Sequence, residues 1–380
     1  MTEAVKEDKG VCIFTMTLRT GGAERQVSFL AKELLKKGVR VHVVSYLPGG
    51  VFWDELSRIN NPLLSLESVI SKEPSIRLLR FLLLLFRAPR TVRGVLTKNS
   101  CSALYGSLMW GNIVVFLASL FSSVRLVWSI RSTMIQRSFK ENFLLRLTRM
   151  VSGVPYAIIS NSYEGKDCLS EYGYPGSSIQ VIGNMIDADR FKFREDERGK
   201  MELDMSLSER PVLGVVSRIV PGKGLEVLFE ALELISNTPC PKVIIAGGGE
   251  QSYKEELKKT WSHLPLIWLD SVEDIAPLYS VFDIVVHPSL SEAFPNTVLE
   301  AMACGRVVIA TDVGDVMRIV SMKQRVCPPS DAVSLAGVID AALKLSEDER
   351  IKEGGENRQK VITQYSPSKC VESYMKVFFE

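Results

Sequence analysis

Two carboxylates, Glu292 and Glu300, stand eight residues apart in the stretch Glu-Ala-Phe-Pro-Asn-Thr-Val-Leu-Glu. Upstream, Asp283-Ile-Val-Val-His-Pro288 reads as an apolar strand, so Glu292 falls in the loop at its end. Downstream, the run into Ala301-Met-Ala-Cys-Gly305 reads as a helix, which places Glu300 about two turns in. Both carboxylates can then face one pocket. Between them lies a helix N-terminus, whose unpaired N–H groups suit a phosphate. The arrangement fits a ligand with a diphosphate at its centre and hydroxyl groups at both ends.

Other residues could serve the same ligand. Arg218 and Lys223 follow the strand-like run Val212-Leu-Gly-Val-Val216. Two fixed cations there would stabilise charge on a departing diphosphate and remove the need for a metal; surface charges on a loop are the plainer reading. Gly21 and Gly22 follow the first strand and open the first long helix, where glycines let the backbone approach a ligand. A simple tight turn is the alternative. The pattern is not Gly-x-Gly-x-x-Gly and no acid lies at the ribose-binding distance, so a nicotinamide cofactor is disfavoured.

Four segments in register resemble the retaining glycosyltransferases of family 4: Gly21-Gly-Ala-Glu-Arg25, Ile182-Gly-Asn-Met-Ile-Asp187 with Phe191, Ser217-Arg-Ile-Val-Pro-Gly-Lys-Gly224, and the Glu292 to Glu300 stretch. The resemblance implies the GT-B fold, an α/β architecture of two Rossmann-like parallel-sheet domains facing a central cleft. It implies a nucleotide-diphosphate sugar as donor, with Glu292 on the sugar, Glu300 on the ribose, and Arg218 and Lys223 on the diphosphate. Ala293, Phe294, Asn296 and Thr297 would cradle the phosphates. Gly248, within Gly247-Gly-Gly249, and Val272, within Asp270 to Asp274, would frame the base. Gly21 and Gly22 would lie under the transferred sugar. Front-face attack is implied too, with the leaving phosphate helping to deprotonate the acceptor. The commonest family form has Phe-Gly where this chain has Phe294-Pro295; proline cannot donate but is tolerated in a first helical turn.

Many family members carry a histidine near the reacting sugar in the first domain. Here only His42, His263 and His287 exist, and none falls there. Arg131, in Val127-Trp-Ser-Ile-Arg-Ser-Thr133, occupies the corresponding strand end and is the candidate acceptor-side or phosphate-facing residue, against a reading as one more solvated cation. His287 either lines the Glu292 pocket or is an ordinary polar residue at a strand end. Asp187-Ala-Asp189 spells the metal–nucleotide motif of the other major glycosyltransferase fold, but its surroundings match the domain-junction element. No metal and no other cofactor is expected.

The 380 residues suggest two domains. Met1 to Gly10 carries no apolar signal core, and the seven cysteines are scattered, which points to a reducing cytoplasm. Residues 1–195 hold 26 basic and 16 acidic side chains, leaving 20 and 28 for the remainder. No acidic residue occurs between Pro74 and Lys140. Within that window Arg77, Arg80, Arg87, Arg90 and Arg93 flank Leu78, Leu79 and Phe81 to Phe86. Residues 77–93 therefore read as an element for an anionic membrane surface; a buried helix with solvated arginines is the alternative. Nucleic acid is a poor partner, since no recognition fold is evident. Asn99 to Val124 is uncharged, and reads as a strand near 101–106 and a buried helix rather than a span. The expected setting is the inner face of the cell membrane, with the protein peripheral there. The expected acceptor is a saccharide, lipid-linked, in surface polysaccharide or lipopolysaccharide synthesis.

Apolar runs alternate with helical patterns, which predicts parallel sheets with crossover helices. Expected strands are Val11–Phe14, Val39–Val44, Val124–Ser129 and Ala157–Ser160, then Val212–Val216, Lys242–Ala246, Leu266–Leu269, Ile284–Val286 and Val307–Ala310. Ala23–Lys37 is an amphipathic helix ended by Gly38. Arg194–Glu209 reads as a linker, giving domains of 1–195 and 196–365, with a helix in 366–380 that packs back on the first domain in the family. Two other functions stay open: a sugar-nucleotide 2-epimerase of the same fold, and a non-catalytic binding module.

Overall fold

The computed structural model describes residues 9–131, 139–205, 207, 211–235 and 241–380. They form two compact units, one of residues up to Met185 together with Pro367–Glu380, the other Ile186–Ser366. The division falls at 185/186, ahead of the position read from the sequence.

The first unit is built on seven strands: β1 (Gly10–Thr15), β2 (Arg40–Ser45), β3 (Leu64–Ser68), β4 (Ala103–Ser107), β5 (Arg125–Ile130), β6 (Ala157–Ser160) and β7 (Ile179–Val181). They are parallel, in the order β3-β2-β1-β4-β5-β6-β7. β1 is buried along its whole length, as a strand covered on both faces must be. The crossovers are helical: α1 (Gly22–Lys36), α2 (Val51–Ser57), α3 (Arg77–Leu82), α4 (Ala88–Asn99), α5 (Leu108–Ser119), α6 (Phe139–Met150) and α7 (Tyr163–Glu171). In α1 the residues Val27, Leu30, Ala31 and Leu34 are buried at helical spacing. Between α3 and α4 a wide π turn, Leu83–Arg87, continues the helix. It precedes Pro89, whose missing N–H leaves the carbonyl four residues earlier without its usual donor. The uncharged stretch resolves into β4 and α5, and among the described residues no helix is long and apolar enough to cross a membrane.

The second unit carries β8 (Leu213–Val216), β9 (Val243–Ala246), β10 (Leu266–Leu269), β11 (Ile284–His287), β12 (Val307–Thr311) and β13 (Val326–Cys327). These are parallel too, in the order β10-β9-β8-β11-β12-β13. Its helices are α8 (Glu195–Asp204), α9 (Leu225–Leu234), α10 (Gln251–Thr260), α11 (Asn296–Ala303), α12 (Val316–Ile319), α13 (Ala332–Leu343) and α14 (Glu347–Gln364). Residues 195–204 of the stretch read as a linker are therefore helical. Glu195, Asp196 and Glu197 occupy the first turn of α8, where carboxylates suit the positive helix end, and Arg198 ties it to Asp283 at 3.1 Å. The last helix, α15 (Pro367–Phe379), belongs to the first unit. Cys370, Val371, Tyr374, Val377 and Phe378 bury one face of it, with Tyr374 and Phe378 edge-on to Tyr105.

Each sheet runs outward from its first strand and then returns to that strand's other side. The order reverses between β1 and β4 in one unit and between β8 and β11 in the other. Ligands of open parallel sheets bind beyond the carboxyl ends of the strands at such a reversal. The fold is the GT-B arrangement of two Rossmann-like domains.

Candidate functional site

The charged residues singled out around β8 and β11 collect at the reversal between those two strands. Arg218 and Lys223 lie in the loop after β8, and Glu292 in the loop after β11. The two loops are joined twice. Leu290 N donates to Gly222 O at 3.0 Å, and Lys223 Nζ forms a short ion pair with Glu292 Oε1. Ser289 Oγ also donates to Glu292 Oε1, at 3.1 Å.

His287, the last residue of β11, is buried beneath this carboxylate. Its Nε2 lies 3.5 Å from Glu292 Oε1, and its Nδ1 lies 3.1 Å from Thr297 Oγ1 in the first turn of α11. Burial works to raise the Glu292 carboxyl, but His287 and Lys223 outweigh it and hold the pKa at about 2. Glu292 is therefore an anion at any ordinary pH. It can accept hydrogen bonds from sugar hydroxyls but has no proton to give.

Glu300 sits in the middle of α11 and is 4% exposed. Tyr279 donates its hydroxyl to Glu300 Oε2 at 2.9 Å. Between the two glutamates the predicted cradle divides. Ala293 lies in the loop, Pro295 caps α11, and Asn296 and Thr297 open it. Pro295 thus stands at the cap and not in the first turn, so its missing donor removes nothing from the helix. Phe294 turns away: its ring is in the core, edge-on to Tyr365 at 5.9 Å, and only its backbone can meet a ligand.

Gly247, Gly248 and Gly249 follow β9 and lie against the Arg218 loop. Ile219 N donates to Gly248 O at 2.9 Å, and Ile219 bridges Gly249 in parallel. At Gly247, φ is +153° and a Cβ would stand 1.8 Å from Ser217 O. Glycine there is what allows the two loops to touch. Val272 is 37% exposed in the segment after β10, where Lys254 holds Asp270 at 2.6 Å.

In the first unit, Gly21 caps α1 and Gly22 begins it. The Glu24 side chain folds back so closely that a Cβ on Gly21 would lie 2.1 Å from Glu24 Oε2. Burial pushes the Glu24 carboxyl above its ordinary pKa. The motif is thus a helix N-terminus covered by a half-buried acid. Gln26 anchors it, exchanging hydrogen bonds of 2.9 and 2.6 Å with Met185.

Arg131 differs from expectation. Its guanidinium donates to Ser129 Oγ at 3.1 Å, to Asn184 Oδ1 at 2.6 Å and to the Tyr374 hydroxyl of α15. These bonds make it a tie within its own unit, and no acceptor-facing role is carried forward. Asp187 likewise uses its carboxylate on the backbone amides of Asp189 and Arg190, both at 3.0 Å. Of the other histidines, His42 is buried against Ser65 at 2.6 Å and His263 pairs with Glu233 at 2.7 Å. Ser289 and Tyr279 were not read from the sequence. Ser289 adjoins the motif and was open to that reading; Tyr279 reaches Glu300 only through the fold.

Two family models match, one to each half: "Glycosyltransferase Family 4" over residues 20–190 and "Glycosyl transferases group 1" over residues 210–345. With the fold, they support a glycosyltransferase of the GT-B, family 4 type. N-acetyl-alpha-D-glucosaminyl L-malate synthase of Bacillus anthracis is 25% identical over 63% of this chain and 61% of its own length. D-inositol 3-phosphate glycosyltransferase of Corynebacterium jeikeium is 29% identical over 44% and 43%. The alignments thus span about three fifths or less of these relatives. HepE of Anabaena, solved in complex with UDP and glucose, superposes with a TM-score of 0.78 at 20% identity, covering 96% of this chain and 98% of that one.

Proposed function

We propose that this chain transfers a sugar, with retention at the anomeric carbon, from a nucleotide-diphosphate sugar to a hydroxyl group of a saccharide acceptor. The observation that carries the reading is the Lys223–Glu292 ion pair. It holds a cation and a carboxylate side by side at the sheet's reversal, next to the N-terminus of α11. In this mechanism Arg218 and Lys223 neutralise charge building on the diphosphate as its bond to the sugar breaks. The N–H groups at the start of α11 hold the phosphates. Glu292 accepts from the sugar hydroxyls and Glu300, steadied by Tyr279, from the ribose. The acceptor hydroxyl attacks from the face the diphosphate leaves, and its proton passes to the leaving phosphate. Because side-chain cations meet the developing charge, no divalent metal enters the scheme. HepE was solved with UDP, so UDP-sugars are the first donors to test.

The acceptor half of the proposal is a lipid-linked saccharide, met at the cytoplasmic face of an anionic membrane through residues 77–93. Their arginines and exposed apolar side chains support this part. The test is a metal-free thermal-shift series of nucleotides and nucleotide sugars on the wild type and Lys223→Ala, followed by NMR of the product's anomeric configuration. A shift for one nucleotide class, lost in the variant, together with a retained configuration, supports the reading. No shift with any nucleotide, or an inverted product, defeats it.

A further inference from the structure

Most of the large apolar side chains exposed among the described residues belong to the first unit. Along α3, the π turn and α4, the residues Leu78, Leu82, Phe86, Arg90 and Arg93 follow one another at helical spacing, and all are exposed. Leu78 is 66% and Phe86 57% exposed, with Ile76, Leu79 and Phe81 open beside them. Arg93 then reaches across to the C-terminus of α5, donating to Leu117 O at 3.0 Å, Ala118 O at 3.3 Å and Leu120 O at 3.2 Å. This holds the loop after α5 against α4. At that loop's tip stands Phe121, wholly exposed, on a backbone with φ of +68°. An aromatic residue in the left-handed region, with its ring in water, has neither local conformation nor packing in its favour.

Between these elements lies a crevice of about 410 Å³ lined by Leu85, Phe86, Pro89, Arg90, Arg93 and Leu117. Beyond α5, which lies between α4 and α6, the α6 face continues the pattern with exposed Phe143, Leu147 and Met150 beside Arg146 and Arg149. Among the described residues no carboxylate pairs with Arg77, Arg87, Arg90 or Arg93, while Arg80 is taken by Glu73.

We infer that the α3–α4 stripe and the Phe121 loop form a two-point docking surface for a bilayer containing anionic phospholipid. Phe121 enters the acyl region, and the crevice takes one lipid whose phosphate meets Arg90 and Arg93. Apolar side chains beside cations that lack a carboxylate partner match the two layers of a membrane surface, acyl chains beneath phosphates. A protein partner would have to bring both an apolar face and a dense negative rim. The inference deepens the membrane part of the proposed function and is independent of the donor site.

The experiment is co-sedimentation of the full chain with vesicles of phosphatidylcholine alone and of equal parts phosphatidylcholine and phosphatidylglycerol. Binding is expected to the mixed vesicles only. Arg87→Gln combined with Arg90→Gln should weaken it roughly 30-fold, and Phe121→Gly roughly tenfold. Glycine accepts the Phe121 backbone without strain, so the melting temperature of that variant should hold or rise, separating lost docking from lost folding. The nucleotide thermal shift should be unchanged in both, so failure here is distinguishable from failure of the donor reading. Equal binding to both vesicle types, indifference to Phe121→Gly, or light scattering that shows a dimer formed through this face would overturn the inference.

Discussion

The Tyr279 hydroxyl donates to Glu300 Oε2 across 2.9 Å, with both residues buried. The bond links the short helical turn Pro277–Ser280 to the middle of α11 and fixes the carboxylate's rotamer. Tyr279→Phe removes the donor and keeps the ring. It should lower stability by about 2 kcal/mol, as for a hydrogen bond to a charged group, and raise the donor KM with a smaller effect on kcat. Urea unfolding and initial rates against donor concentration check this. An unchanged KM would detach Glu300 from donor binding.

Lys223 and Glu292 make a pair whose pH dependence has a definite sign. The folded carboxyl titrates at about 2, below its ordinary value of 4.5. Its contribution, about 3 kcal/mol by linkage, is therefore present above pH ~4.5 and is lost as pH falls toward 2. Glu292→Gln should be less stable than wild type at pH 7, with the gap narrowing by about 2 kcal/mol between pH 5 and 3 and the remainder going as pH falls toward 2. For the same reason no acid limb of the rate profile above about pH 4 should belong to Glu292. Denaturation at several pH values and a pH–rate profile test the two statements.

Arg131 fastens the last helix. Replacing it with alanine removes the donors to Asn184, Ser129 and Tyr374 together. The loss should approach about 3 kcal/mol, and residues 367–380 should become open to proteolysis first. Arg131→Lys should recover only part, since an ammonium cannot span three acceptors in one plane. Limited proteolysis with mass spectrometry gives the order of cleavage.

Arg325 and Glu353 form a buried pair, with bonds of 3.1, 3.3 and 3.0 Å between side chains only 7% and 8% exposed. Glu353→Gln leaves a buried guanidinium without its anion and should destabilise by about 3–5 kcal/mol. Replacing both residues with methionine should restore most of that. Melting curves of the single and double variants decide it.

Much of this protein was open to reading in one dimension. The strands that were read lie where continuous apolar runs put them, because a strand covered on both faces has no polar face to disguise it: Val11–Phe14 became β1, and Ile284–Val286 became β11. The short or alternating β3, β7 and β13 carry no such run and were not read. The Glu292-to-Glu300 spacing marked the candidate site, because a strand end, a loop and two helical turns are local geometry set by neighbouring residues. The charge asymmetry and the greasy, basic stretch were likewise visible as composition.

What composition and spacing could not decide was which way a side chain faces once distant segments meet. Arg131 sat at a strand end that suggested an acceptor, yet α15, 243 residues further along, arrives beside it and takes its guanidinium. Phe294 lay inside the motif, and only packing against Tyr365 sends its ring to the core. His287 stood open between lining the Glu292 pocket and being an ordinary strand-end residue until the fold set it between Glu292 and Thr297. The loop that points Phe121 outward has no signature in an uncharged stretch. Local propensity and periodicity are properties of neighbours in the chain, so they are written in it. The partner of a buried charge, or the bareness of an apolar ring, depends on elements brought together by the whole fold, and only the tertiary structure decides them.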